Sequence, residues 1–287
     1  MKTPSFGEGK GLNTNIRELC RELRADTVEC IGSIGRGHLG GCLSAIELLA
    51  VLYFEEMNID PNDPQMAGRD RFICSKGHAG PAVYATLAKR GYFDRSLLYT
   101  LNQGGTSLPS HCDMLRTPGV DMTAGSLGQG FSAAAGVALA SKLEDDGATV
   151  YTLIGDGESQ EGQIWEAAMF AAAKKLDNLI GFTDYNKLQL DAPVAEINDV
   201  APLADKWAAF GWNVVEVADG NDPDQVRDAV KKAKANRGGG KPTMVILNTR
   251  KGCGVSFIDA MGAGNHHVDL SREDTRRALE EIRGGAV

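Results

Sequence analysis

Two stretches decide how this chain folds: Thr149-Val-Tyr-Thr-Leu-Ile-Gly-Asp-Gly-Glu158 and Leu179-Ile-Gly-Phe-Thr-Asp-Tyr-Asn-Lys-Leu188. Each opens on a β-type apolar run, 149–154 and 179–183, and each ends in a polar, turn-forming segment. Between them, Gln163 to Lys175 alternates apolar and small residues in the manner of a helix. Strand, helix and strand in that order make a parallel pair joined by a right-handed crossover. Neighbouring parallel strands end at one rim of the sheet, so Asp156 and Asn186 should meet there, with 28 residues between Gly157 and Asn186. A carboxylate beside an amide oxygen suits a hard cation such as Mg²⁺, which also takes phosphate oxygens as ligands. The helix N-terminus next to it offers N–H groups to the same phosphates. A bare Gly-Asp-Gly is more often only a turn, and it is the spacing and flanking strands that favour the metal reading.

The rest of the chain extends the same pattern. Asn13 to Gly32 reads as an amphipathic helix, with Ile16, Leu19, Leu23 and Ile31 near one face. Leu43 to Phe54 is apolar nearly all round and reads as a buried helix. Arg71 to Cys74 is a short apolar run ending at a Gly-His loop. Ala79–Arg90, Gln129–Leu143, Pro202–Phe210 and Asp224–Asn236 read as helices, and Trp212–Val217 and Thr243–Asn248 as strands. Ser271 opens a last helix to Ile282, with Asp274 three residues on as an approximate capping box. The expected fold is α/β, a mostly parallel central sheet with helices on both faces. No linker and no fixed-period repeat divides the 287 residues, so we expect one domain over 1–287. It carries an N-terminal helical layer over about 1–60 and a C-terminal extension over about 250–287. Ligands of such sheets bind at the carboxyl ends of the strands.

Composition narrows the function. Acidic side chains outnumber basic ones 38 to 30, a net charge of −8, which argues against nucleic acid or an anionic membrane as partner. A phosphate ligand must then be held locally, by a metal or by backbone N–H groups. No run of 18 apolar residues suggests a membrane span. The opening residues have no apolar core of a signal peptide, and the six cysteines show neither C-x-x-C pairs nor zinc spacing. A reduced, cytoplasmic protein is expected. Glycine is in excess, 35 residues where average usage gives about 20. The excess falls in short clusters at loop tips, where backbone can approach a ligand closely.

Those clusters carry a resemblance. Gly-Asp-Gly with Asn some 30 residues on is the thiamine-diphosphate signature. The surroundings resemble transketolase specifically. They are Gly37-His38 before Gly40-Gly41, Ser75-Lys76-Gly77-His78-Ala79, Thr117-Pro118-Gly119-Val120, Gly125-Ser126-Leu127-Gly128-Gln129-Gly130 and Gly157-Glu158-Ser159-Gln160-Glu161-Gly162-Gln163. The likeness runs from about Asn13 to His267.

The resemblance implies an enzyme that moves a two-carbon ketol unit from a ketose phosphate to an aldose through a thiamine-diphosphate adduct. It implies Mg²⁺, with Ca²⁺ or Mn²⁺ able to substitute, held by Asp156, Asn186 and the main-chain carbonyl of Leu188. Cofactor contacts are implied for His78, Gly125, Ser126, Leu127, Gly157, Glu158, Asn186 and His266. Catalytic roles are implied for His38, His111 and His266, with His267 as the alternative to His266. Imidazole suits such roles because it titrates near neutrality. Glu161 and Glu166 are either solvated helix charges or contacts to a partner. Full-length transketolases have a second half that this chain lacks. The resemblance therefore implies the N-terminal subunit of a split enzyme, whose partner is a separate C-terminal-half polypeptide, in an α₂β₂ assembly acting on sugar phosphates. Leu39 and Cys112 stand where the family commonly has proline, which bears on substrate choice. The alternatives are another thiamine-diphosphate enzyme (a 2-oxo-acid dehydrogenase alpha-type subunit or a deoxyxylulose-phosphate-synthase-like chain) or a non-catalytic cofactor-binding subunit. A nicotinamide-binding fold is disfavoured, because no third glycine follows at the G-x-G-x-x-G spacing.

Overall fold

The computed structural model describes residues 15–285. The expected helix start at Asn13 and the opening residues lie outside them. The first helix, Ile16–Gly32, is capped by the Asn15 side chain, which accepts from the Arg17 N–H at 3.1 Å. A two-residue strand follows, β1 (Arg36–Gly37), then β2 (Arg71–Cys74), β3 (Val150–Gly155), β4 (Leu179–Tyr185), β5 (Asn213–Val217), β6 (Thr243–Asn248) and β7 (Val268–Asp269). Five of these form one sheet in the order β2-β3-β4-β6-β5, and every pairing in it is parallel. β1 and β7 make a separate antiparallel ribbon. The run at Arg71–Cys74, read from sequence only as apolar, is thus an edge strand of the main sheet.

Successive side chains of β3 enter opposite faces of the sheet. Tyr151 and Leu153 pack into one apolar cluster with the helices Ile16–Gly32, Gly80–Arg90 and Pro223–Ala235. Val150 and Ile154 pack into a second cluster with the helices Gln129–Glu144, Gly162–Ala173 and Leu203–Ala209. Helices therefore cover both faces, which is why all six residues of β3 are buried. The capping box at Ser271 and Asp274 is formed and opens the last helix, Arg272–Arg283.

One expected element differs. The apolar stretch from Leu43 to Phe54 is not a single helix. A short helix, Leu39–Leu43, stops before Ser44, a second runs Ile46–Val51, and a π turn closes it at Leu52–Glu56. The break has a polar cause. Ser44 Oγ donates to the carboxylate of Asp184 at 2.6 Å, a bond that an uninterrupted buried helix has no reason to aim. The six cysteines are free and buried, as expected for reduced thiols.

The helix Gln129–Glu144 lies close against the loop after β2. A Cβ built on Gly130 would sit 2.6 Å from the Cα of Ser75. Gly130→Ala should therefore push apart two backbones that frame the pocket. The expected cost is about 1–3 kcal/mol, read as a lower denaturant midpoint. An unchanged midpoint would show that the two segments separate freely.

Candidate active site

The site grows from the pairing of β3 with β4. Their register sets Gly155 opposite Asp184, and both chains leave the sheet at the same rim. Asp156 then turns its carboxylate over the rim. Oδ1 accepts from the Gly157 N–H at 2.8 Å, and Oδ2 accepts from the N–H of Lys187 on the neighbouring loop. Asn186 Oδ1 accepts from the Leu188 N–H at 3.0 Å, and its Nδ2 donates to Asp184 at 3.2 Å. Lys187 holds φ +68°, a left-handed conformation that a side chain adopts at some cost and that recurs at functional loops. The carbonyl of Leu188 accepts from Lys251 Nζ at 3.4 Å. The three expected oxygen groups therefore stand on two adjoining loops. Gly157 is needed there, because a Cβ would lie 2.9 Å from that of Gln189.

The electrostatics of the rim are uneven. Asp184 is buried, and burial alone would raise its pKa. Lys76, Ser44 and Thr249 overcome this and hold it below the usual carboxylate range. Lys76 Nζ makes a buried ion pair with Asp184 and also donates to the Gly41 carbonyl at 2.8 Å. Asp156 has no such cation of its own. Burial, with Asp184 adding to it, pushes Asp156 up to about 7. A carboxylate in that position gains from a bound cation. Among the described residues no group of three or more His, Cys, Asp and Glu is placed to hold a metal. The set expected here has one carboxylate, one amide and one carbonyl, the hard oxygen donors that Mg²⁺ accepts. Gln189 Nε2 is also buried without a hydrogen-bond partner and lines the same pocket. The residues present fit a metal-bound diphosphate.

The pocket has a volume of about 240 Å³, with Asp156, Gly157 and Asn186 on one wall and His38, His78, His111 and His266 among the others. Four of the five histidines of the chain line it, and the fifth, His267, stands beside His38. The His38 ring lies 5.5 Å from His78, 5.7 Å from His111, 5.3 Å from His266 and 5.0 Å from His267, centroid to centroid. Of the adjacent pair, His266 lines the pocket and sets Nδ1 3.2 Å from Lys251 Nζ, while His267 is exposed. Close approach again uses glycine. A Cβ on Gly41 would meet His78 Nε2 at 2.8 Å, and one on Gly77 would meet the Ala124 carbonyl at 2.9 Å.

Burial pushes His38 down to about 4, with His267 and His111 acting in the same direction. Burial and then Lys251 push His266 down to about 3. Burial lowers His78 and His111 as well. These imidazoles are neutral at pH 7, each with one donor and one acceptor nitrogen. Burial brings Lys251 down to about 8.

Other expected site residues fall less centrally. Gly125 and Leu127 line the pocket, whereas Ser126 between them is exposed and outside the wall. Glu158 reaches the pocket, but its carboxylate is taken up by the protein. It accepts from Ser75 Oγ, from the Gly128 N–H at 2.9 Å and from the Gly155 N–H at 3.1 Å. Leu39 and Cys112 are both fully in the core, so they bear on the site only through the backbone that carries His38 and His111. Glu161 and Glu166 are exposed, on a surface that also shows Met169 and Phe170. Sequence reasoning missed Lys76, Asp184, Gln189 and Lys251. Lys76 sits inside a quoted glycine cluster and Lys251 precedes another, Gly252-Cys253-Gly254, which was the available signal. Asp184 lies near the end of β4, two residues before Asn186, and Gln189 carried no signal.

Residues 13–283 match the family described as transketolase, thiamine diphosphate binding domain. The chain belongs to the transketolase family. It is 56% identical over 268 residues to a 6-deoxy-6-sulfo-D-fructose transketolase subunit of Clostridium sp., covering 93% of this chain and 96% of that one. It is 42% identical to one of the subunits of the apulose-4-phosphate transketolase of Actinobacillus succinogenes, covering 86% and 88%. Against human transketolase the identity is 35%, over 93% of this chain but 42% of the human one. The solved transketolase of Leishmania mexicana superposes with a TM-score of 0.87 at 29% identity, covering 94% of this chain and 41% of that chain. The chain thus spans about two fifths of full-length transketolases. Its α/β sheet is the thiamine-diphosphate-binding fold of that family. Among the described residues, no helix is long and apolar enough to cross a membrane.

The depressed histidines of this transketolase domain carry a stability signature. The unfolded chain protonates its imidazoles near 6.5, while His38 and His266 wait until about 4 and about 3. Their contribution is complete above about 6.5 and is lost as the pH falls through that window. Replacing both with Gln should flatten the fall of the denaturant midpoint between pH 7 and pH 4. Parallel curves for wild type and variant would contradict the depressed values.

Proposed function

We propose that this chain is the N-terminal subunit of a two-chain transketolase, working in the cytoplasm with a separate C-terminal-half subunit in an α₂β₂ assembly. The observation that carries the reading is one pocket lined by Asp156, Asn186 and Leu188 together with four imidazoles. The coverage of separately encoded subunits almost from end to end, against two fifths of full-length enzymes, supports the two-chain form. Asp156, Asn186 and the Leu188 carbonyl would hold Mg²⁺, or Ca²⁺ or Mn²⁺ in its place. His78, Gly125 and Gly157 would meet the diphosphate of the cofactor.

When bound, thiamine diphosphate supplies the nucleophilic carbon and spreads the negative charge that develops on the substrate. The chain's own residues place the substrate. Neutral His38 and His266 can donate an N–H to a substrate oxygen and accept a proton at the other nitrogen. His111, its ring 5.7 Å from that of His38, would do the same for a second oxygen. For the donor we propose a ketose with an anionic far end. The first to test is 6-deoxy-6-sulfo-D-fructose, named for the relative at 56% identity, against a ketose phosphate. An aldose would accept the two-carbon unit.

Calorimetric titration of thiamine diphosphate into the assembled complex tests the metal assignment. Asp156→Ala and Asn186→Ala should each weaken Mg²⁺-dependent binding at least 100-fold while the circular dichroism spectrum stays unchanged. Wild-type affinity in both would remove these residues from the metal. His38→Ala should leave cofactor affinity within about twofold and lower kcat by about 10²–10⁴. Loss of cofactor binding instead would move His38 out of the substrate shell.

A further inference from the structure

Asp184 stands outside the oxygen set that would meet the metal, yet it gathers more hydrogen bonds than any other side chain at the rim. Its Oδ2 accepts from Lys76 Nζ, from Ser44 Oγ at 2.6 Å and from Asn186 Nδ2 at 3.2 Å, and its Oδ1 accepts from Thr249 Oγ1. It is 1% exposed. The partners arrive from the helix break at Ser44, the loop after β2, the end of β4 and the loop after β6. Three strand ends and the helical layer thus close on one carboxylate.

The bond to Asn186 fixes a choice the amide would otherwise have. A carboxamide has a donor end and an acceptor end of nearly the same shape, and only its partners decide which faces where. An ionised carboxylate accepts and cannot donate. Asn186 must therefore give Nδ2 to Asp184, which leaves Oδ1 at the far end. There Oδ1 takes one hydrogen bond from the Leu188 N–H and keeps a lone pair free. With the amide turned over, an NH₂ group would face a cation that it repels. Lys76 contributes by giving Asp184 a buried counter-charge, so that the carboxylate stays in its accepting form.

We propose that Asp184 is a positioning residue of the metal centre, fixing the Asn186 amide so that its oxygen is the atom presented to the divalent cation. Such outer partners commonly set the affinity of the ligands they orient. The inference rests on the metal reading of Asp156 and Asn186 given above.

The probe is Mn²⁺ with saturating thiamine diphosphate, and the readout is free Mn²⁺ by electron paramagnetic resonance on the assembled complex. A wild-type complex that binds no Mn²⁺ overturns the metal reading itself, and this inference with it. Asp184→Asn alone would strand the Lys76 ammonium in the interior, so it is paired with Lys76→Met. A folded Asp184→Asn/Lys76→Met complex should bind Mn²⁺ at least tenfold more weakly, and affinity within twofold of wild type would overturn the proposal. Asn186→Asp decides independently of that fold. It adds a negative ligand, which by charge alone should tighten binding. Here it should weaken binding at least tenfold, because two carboxylates then face each other with no hydrogen between them. The exchange Asp184→Asn/Asn186→Asp, again made with Lys76→Met so that no ammonium is stranded, restores a donor and an acceptor in reversed order and should return the affinity to within about fivefold of wild type. Binding by Asn186→Asp as tight as wild type, or an exchange variant no better than Asn186→Asp, would contradict the positioning role.

Discussion

Everything in the pocket depends on the parallel pairing of β3 and β4 in the register that sets Gly155 opposite Asp184. Parallel strands bring their carboxyl ends to one rim, and the register decides which residues meet there. A slip of one residue would reverse the face of every side chain on β4. Phe182 would leave the cluster with Tyr151, and Leu179 would leave the one with Val150. The apolar burial that stabilises the sheet is thus what places Asp156 beside the Asn186 loop. The site needs no separate scaffold.

Charge at the rim follows from how few cations are buried there. The chain is acidic overall, with net charge −8, and cannot draw a diphosphate by its general field. It buries two lysines there, Lys76 and Lys251, and of these Lys76 forms an ion pair with Asp184. Under the proposed function, Asp156 would be left to a ligand cation, which in turn would carry the anionic cofactor. Lys251 stands on the other side of the same loop, bonded to the Leu188 and Gln189 carbonyls at 3.4 and 3.3 Å. Binding as proposed would therefore be a local arrangement of one metal, a few N–H groups and glycine-backed loops. The imidazoles line the more open side of the pocket, half-buried, and that burial favours the neutral form, which can both donate and accept.

Local pattern made much of this legible. The strand at 149–154, the helix after it and the strand at 179–183 are written in runs of apolar residues, and the capping box at Ser271 is a local contact. The glycine clusters marked the loops, and the histidines lay inside them. What could not be read is what depends on contacts distant in sequence. The helix break at Ser44 answers to Asp184, 140 residues away. The edge strand at Arg71–Cys74 is a strand because β3 lies beside it. Asp184 itself looks like any strand residue until Lys76, Ser44 and Thr249 converge on it. Leu39 and Cys112 lie next to pocket histidines in sequence, but their side chains turn into the core. Neighbours along a chain point in different directions as soon as a loop turns.

The central claim is that this domain holds the diphosphate through a divalent metal and completes its site only with a partner chain. Equilibrium binding of thiamine diphosphate, with and without Mg²⁺, to this chain alone and to its complex with the co-purifying partner tests it most directly. The account predicts strong binding only when both Mg²⁺ and the partner are present. Equally tight binding by the isolated chain in the presence of chelator would contradict it.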